Sequence, residues 1–283
     1  MRQETEISRI HVTYGRKQYM KFCSLASGSS GNCIYVGTEH THLLVDAGIS
    51  VKRILCGLQT IDVSPEEIQA VLITHEHTDH ISGLGALSRK LHVPIYATAG
   101  TWDAIRKIHS LGQIDPDLEM PVVADAPFEI GDIEVNPFST DHDAANPVCY
   151  SLFCDGHKVS IATDLGCVSD YLVSELQNSE VLMLEANHDR NMLEVGPYPY
   201  SLKRRILSDH GHLSNDTTGQ LLVRLFNDKL RYVILAHLSK ENNYPELARE
   251  TVIYELSQAD AEFGRTCTIE VASRDVPSAP VLL

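Results

Sequence analysis

Residues 73–80 read ITHEHTDH, so that His75, His77, Asp79 and His80 fall within six positions, directly after the apolar run AVLIT. Imidazole nitrogens are donors that borderline divalent cations such as zinc favour, and a carboxylate beside them lowers the charge of the site. In an extended segment, residues two apart face the same way, so His75 and His77 can reach one ion together. Asp79 and His80 stand where the chain is expected to turn into a helix, and can face a second ion. The competing reading is a chance polar loop; three imidazoles at fixed places in one short window speak against it.

Other segments carry groups able to do chemistry. LEANHDR holds Glu185 and His188, and DHGHLSND holds His210 and His212 directly before a helical pattern. SLKRRIL aligns Lys203, Arg204 and Arg205 as a basic segment for a phosphate backbone or as a solvated helix face. In SGSSGN the backbone N–H groups and the hydroxyls of Ser27, Ser29 and Ser30, with Asn32 at the end, can receive a phosphate; a tight glycine-requiring connection explains the same residues. Asn242, Asn243 and Tyr244 in NNYP are either substrate contacts or a cap for the helix that Pro245 begins.

The elements that must position these groups alternate between the two hydrophobic periods. Strand patterns at 21–26, 33–37 and 42–48 precede a helix at 50–59 and the strand AVLIT. A helix is expected at 80–91, a strand at 94–98 and a helix at 100–111. Two hairpin patterns follow, turning at Gly131-Asp132 and Asp155-Gly156. Strands at 181–186, 232–237 and 267–273 then alternate with helices at 200–207, 214–226 and 245–257. Strands inside and helices outside predict two sheets stacked face to face. Residues 1–19 are polar and aperiodic and are expected to form an extension outside the fold, with 20–283 as a single domain of two similar halves.

Composition narrows the class. The chain has 283 residues, 43% hydrophobic and 22% charged, and a net charge of −15. That charge opposes binding nucleic acid by bulk electrostatics, though not through a local basic patch. No stretch approaches the roughly 20 apolar residues that span a bilayer, and the N-terminus lacks a secretory pattern, so no membrane partner and a cytoplasmic location are expected. Seven scattered cysteines without a CxxC pair predict reduced, mostly buried thiols.

The segment H75-E-H77-T-D79-H80 resembles the HxHxDH motif of the metallo-β-lactamase fold superfamily, and the likeness extends over about residues 20 to 273. It is carried further by LLVDAG with Asp46, STDHDA with His142, IATDLG with Asp164 and AHLSKENN with His237, each at an expected strand end. Alone, His142 or His237 would read as an ordinary core or surface histidine. SLASGSSGN, ANHD, GPYPYSLKRRIL and GHLSN make the chain similar to the YycJ/WalJ group of bacterial metal-dependent hydrolases, related to ribonucleases Z and J. The resemblance implies an α/β four-layer αββα sandwich. It implies two divalent ions, zinc or manganese with iron also acceptable: His75, His77 and His142 on one, Asp79, His80 and His237 on the other, Asp164 bridging, and Asp46 holding a ligand or its loop in orientation. It further implies a phosphodiesterase on nucleic acid, DNA rather than RNA, as an exonuclease with a role in repair. Two ions about 3.5–4 Å apart would hold a bridging hydroxide for attack on phosphorus. His212, or else His210, would protonate the leaving oxygen, with Glu185 orienting it. The alternatives are a small-molecule hydrolase of cyclic phosphates, thioesters or lactones on the same site, and a non-catalytic metal-stabilised partner. Oligomeric state stays open.

Overall fold

The computed structural model describes residues 19–259 and 267–283. The extension expected at 1–19 lies, apart from the exposed Tyr19, outside the described residues. Elements run in the order β1 (Lys21–Ala26), β2 (Cys33–Gly37), β3 (His42–Val45), α1 (Val51–Thr60), β4 (Ala70–Leu72), α2 (Thr78–Ile81), α3 (Leu84–Leu91), β5 (Ile95–Thr98), α4 (Ala99–Ile105) and β6 (Glu119–Val122). Then come β7 (Phe128–Ile130), β8 (Ile133–Ser139), β9 (Val148–Cys154), β10 (His157–Ala162), α5 (Asp170–Leu176), β11 (Val181–Glu185), α6 (Arg190–Val195), α7 (Tyr200–Ile206), α8 (Asn215–Leu225), β12 (Tyr232–Ala236), α9 (Pro245–Ala259), β13 (Thr268–Val271) and β14 (Val281–Leu282).

They make two seven-stranded sheets, ordered β14-β1-β2-β3-β4-β5-β6 and β13-β12-β11-β10-β9-β8-β7. The two-residue side-chain period of a strand explains how they stack. In β3, Leu43 and Val45 face a core shared with the other sheet while Leu44 faces outward. In β12, Ile234 and Ala236 face that same shared core while Val233 and Leu235 face outward. The outward faces are covered by α1, α3 and α4 through Ile54, Leu58, Leu87 and Trp102 on one side. On the other side α5, α8 and α9 cover them through Leu172, Leu222 and Val252. The result is the expected four layers, helices outside two sheets.

Both hairpins turn where expected. Asp155 and Gly156 take φ of 48° and 84°, the left-handed pair that a two-residue turn between twisted strands demands. The helix expected at 80–91 is broken into α2 and α3 at Gly83, whose Cα packs against the Ile49 carbonyl so closely that a Cβ would stand 2.1 Å from it. Strands β6 and β14 and helices α5 and α6 carry no signal strong enough to have been expected.

Within each sheet, β3 to β6 and β10 to β13 run parallel. Their C-terminal ends open toward one rim, the place where parallel α/β sheets present functional loops. Bonds join the sheets there, among them Tyr150 Oη to the Ile73 carbonyl and Val148 N to the Thr74 carbonyl, each at 3.0 Å, and His237 N to Ser27 Oγ at 3.0 Å.

Candidate metal centre

The residues expected at the centre come from five strand exits, those of β3, β4, β8, β10 and β12, His142 standing after β8. β4 delivers His75 and His77, the latter standing at the start of α2, whose first turn carries Asp79 and His80. The exits of β3, β10 and β12 deliver Asp46, Asp164 and His237, all three in the left-handed region at φ of 62°, 62° and 57°. Non-glycine residues rarely adopt that conformation, at a cost on the order of 1–3 kcal/mol each, and it gathers where surrounding structure holds functional groups. The α2 carbonyls are held from outside: Asn32 N donates to Asp79 O and Ala47 N to His80 O, each at 2.8 Å. Gly48 allows this approach, since a Cβ there would lie 1.7 Å from Asp79 O.

The outer nitrogens define what the inner ones can do. His80 Nδ1 lies 2.7 Å from Asp46 Oδ2, His75 Nδ1 3.0 Å from Thr74 Oγ1, and His142 Nδ1 3.1 Å from the Gly211 carbonyl. His237 Nδ1 lies 3.3 Å from Glu185 Oε1. A neutral ring that donates from Nδ1 keeps its lone pair on Nε2, and these four Nε2 atoms point into one space. His77 presents the other edge, with Nδ1 3.3 Å from His142 Nε2. Carboxylates share the space: Asp79 Oδ2 is 3.1 Å from His237 Nε2, and Asp164 approaches His80, His142 and His237 at 3.2, 3.6 and 3.6 Å.

His75 Nε2 is buried and has no hydrogen-bond partner. An orphaned buried acceptor is rare, and among nitrogen and carboxylate donors a cation is the partner that satisfies it. Donor atoms of His75, His77 and His142 lie within 4.8 Å of one another, as do those of Asp79, His80 and His237, and those of His75, His80 and Asp164. The residues therefore fit divalent cations.

Without a cation these groups charge one another. Burial opposes charge on His80, yet Asp164, Asp46 and Asp79 push it well above the ordinary imidazole range. Burial likewise opposes charge on His237, which the Asp164 carboxylate and bonds to Asp79 and Glu185 raise to about 10. Burial opposes charge on Asp79 too, yet His80 and His237 together draw it down to about 2. His75 goes the other way, held well below the usual range by burial and then by His80. Metal binding replaces such protons.

Beside the centre, Glu185 is fully buried, its Oε2 accepting from Leu165 N and Leu213 N at 2.9 and 3.0 Å. Its Oε1 takes the His212 Nδ1 at 2.8 Å. Ring centroids of His212 and His142 are 5.1 Å apart, and those of His212 and His237 5.4 Å. His210 is exposed, and its carbonyl accepts from Asp143 N.

The residues expected to touch substrate divide. Ser29 and Ser30 are exposed. Asn32 is 1% exposed, its amide placed 3.2 Å from His80 Nε2 and its carbonyl oxygen bonded to Gly28 N, so it holds the loop and not a substrate. Asn242 is fully buried and bonded to Ser239 Oγ, which likewise removes it from contact with a substrate. Lys203 Nζ is tied to the Glu194 carbonyl, Arg205 is ion-paired with Asp143, and Arg204 stands exposed. Thr74 was not singled out by sequence; its hydroxyl lies 3.0 Å from Asp46 Oδ2 and 3.0 Å from His75 Nδ1, linking strand β3 to the histidine loop. No local pattern marks such a residue, because its partners come from separate strands.

Two helix-covered sheets with imidazoles and carboxylates converging at their shared rim are the architecture of the metallo-β-lactamase fold. Residues 41–237 match the family described as the beta-lactamase superfamily domain, and the chain belongs to that family. It is 42% identical over 244 residues to "Exodeoxyribonuclease WalJ" of Streptococcus pneumoniae serotype 2, covering 86% of this chain and 91% of the relative. It is 39% identical to "Exodeoxyribonuclease YycJ" of Bacillus anthracis, covering 92% and 97%. Among solved structures, Zn2+-bound PqqB from Methylobacterium extorquens superposes with a TM-score of 0.68 at 17% identity, covering 92% of this chain and 99% of that one.

Proposed function

We propose that this protein is a metal-dependent exodeoxyribonuclease. Similarity across nearly the full length of two relatives that carry that name supports the reading, and the single structural observation that carries it is the buried His75 Nε2 without a partner, facing convergent imidazole and carboxylate donors. His75, His77 and His142 would hold one divalent ion, Asp79, His80 and His237 a second, and Asp164 would serve both; zinc, manganese and iron all suit this mixed nitrogen and oxygen set. Bound cations supply Lewis acidity at a phosphoryl oxygen and make water acidic enough to act as a nucleophile near neutral pH. His212 works on the other side of the reaction. With Nδ1 committed to Glu185, the ring can deliver a proton only from Nε2, and that proton goes to the oxygen leaving phosphorus. Glu185 fixes the ring, being itself fixed by two backbone N–H groups. Exposed Ser29, Ser30 and Arg204 are the contacts left for a phosphate backbone.

End-labelled single- and double-stranded DNA and RNA, incubated with metal-loaded protein, test this. DNA shortened progressively from an end is expected; labels on the 5′ and 3′ ends report polarity. His212→Ala should lower kcat by about 10²–10⁴-fold while leaving metal content unchanged. DNA left intact by wild type, at a rate no different from Asp79→Ala, would remove the proposal.

A further inference from the structure

His77 differs from the other imidazoles at the centre. Four rings have their outer nitrogen within 3.3 Å of a threonine hydroxyl, a backbone carbonyl or a carboxylate. His77 turns Nδ1 inward, and its outer Nε2 lies 3.9 Å from Asp143 Oδ1. The same Asp143 oxygen is 3.5 Å from His142 Nε2. Asp143 is itself gripped: Arg205 Nη2 donates to Oδ1 at 2.8 Å while Arg205 Nε donates to Oδ2, a two-pronged guanidinium–carboxylate pair, and Asp143 N donates to the His210 carbonyl at 3.2 Å.

We infer that Asp143, locked by Arg205, is the positioning residue for His77, setting which of its ring nitrogens faces the ion. The assignment rests on the metal-centre reading above. At 3.9 Å the contact is electrostatic rather than a hydrogen bond. A fixed negative charge beside Nε2 still favours the tautomer with its proton there and its lone pair on Nδ1, the nitrogen facing His142; His142, nearer the same oxygen, has its own proton held on Nδ1 by the Gly211 carbonyl. Partners of this kind orient ligand rings, and their loss typically lowers metal affinity by 10–100-fold. Bidentate geometry is what makes Arg205 suited to the task, because both carboxylate oxygens are held and the carboxylate cannot rotate away. Arg205 is thereby committed to the centre and not to the phosphate backbone that the basic run SLKRRIL suggests.

Competition between purified protein and a chromophoric chelator for zinc tests this without reference to nuclease activity. Asp143→Ala is expected to weaken the tighter-binding equivalent by about 10–100-fold. Asp143→Asn, which keeps an acceptor oxygen but loses the charge, should fall between it and wild type. Arg205→Ala should weaken binding by a smaller factor, and the double variant Asp143→Ala/Arg205→Ala should match Asp143→Ala alone. Equal unfolding midpoints of the chelator-treated proteins show that the fold survives; if Asp143→Ala does not fold, Asp143→Asn carries the measurement. Asp143 variants within twofold of wild type would overturn the assignment, as would an additive double variant. Wild type that binds no divalent metal would instead overturn the metal-centre reading itself.

Discussion

His188 is 1% exposed, and neither of its ring nitrogens has a hydrogen-bond partner. In the fold it is a neutral imidazole packed near Glu185 and His212, its pKa depressed to about 4, chiefly by burial. A histidine whose folded value lies below the unfolded 6.5 binds fewer protons folded than unfolded between those pH values, so stability falls as pH drops from about 6.5 through 4. The shift corresponds to about 3 kcal/mol. His188→Gln, neutral throughout, should therefore lose less stability than wild type over that window, as read by urea denaturation of chelator-treated protein at pH 7 and pH 4.5. Equal losses in both proteins would show that this ring does not titrate as its burial dictates.

At the scale of elements, close backbone approach matters more than periodicity. The β3 exit and the first turn of α2 touch at Gly48, and a methyl group added there would lie 1.7 Å from the Asp79 carbonyl. Backbone cannot yield as a side-chain tip does. Gly48→Ala is expected to destabilise the protein by about 3 kcal/mol and to reduce bound metal, measured by denaturant titration and elemental analysis. The elements that went unexpected have physical reasons of their own. Strand β6 is EMPV, with Pro121 paired to Ala97 at the edge of its sheet; an edge strand tolerates proline, yet proline erases its strand signature in sequence. Strand β14 is only Val281–Leu282, defined by pairing with Lys21 and Phe22 some 260 positions earlier.

For the whole molecule, the centre lies between the two sheets and draws candidate donors from both, so a bound cation would cross-link them. Among the described residues no helix is long and apolar enough to cross a membrane. Ligands that bind only the folded state stabilise it by about 2.7 kcal/mol at a hundred times their dissociation constant. Chelation should accordingly lower Tm by about 5–10 °C and abolish nuclease activity, and added zinc or manganese should restore both, as followed by scanning calorimetry. What the sequence alone determined is the HxHxDH cluster after β4, a local pattern with a local cause; His142, Asp164 and His237 entered as candidate donors only through the family resemblance, because nothing local marks them. Which nitrogen of each ring faces inward, that Arg205 serves Asp143, and that Asn32 and Asn242 are sealed inside were decided by tertiary structure. Those outcomes depend on hydrogen-bond partners that only folding brings within reach: the Gly211 carbonyl for His142, Asp46 for His80 and Glu185 for His237.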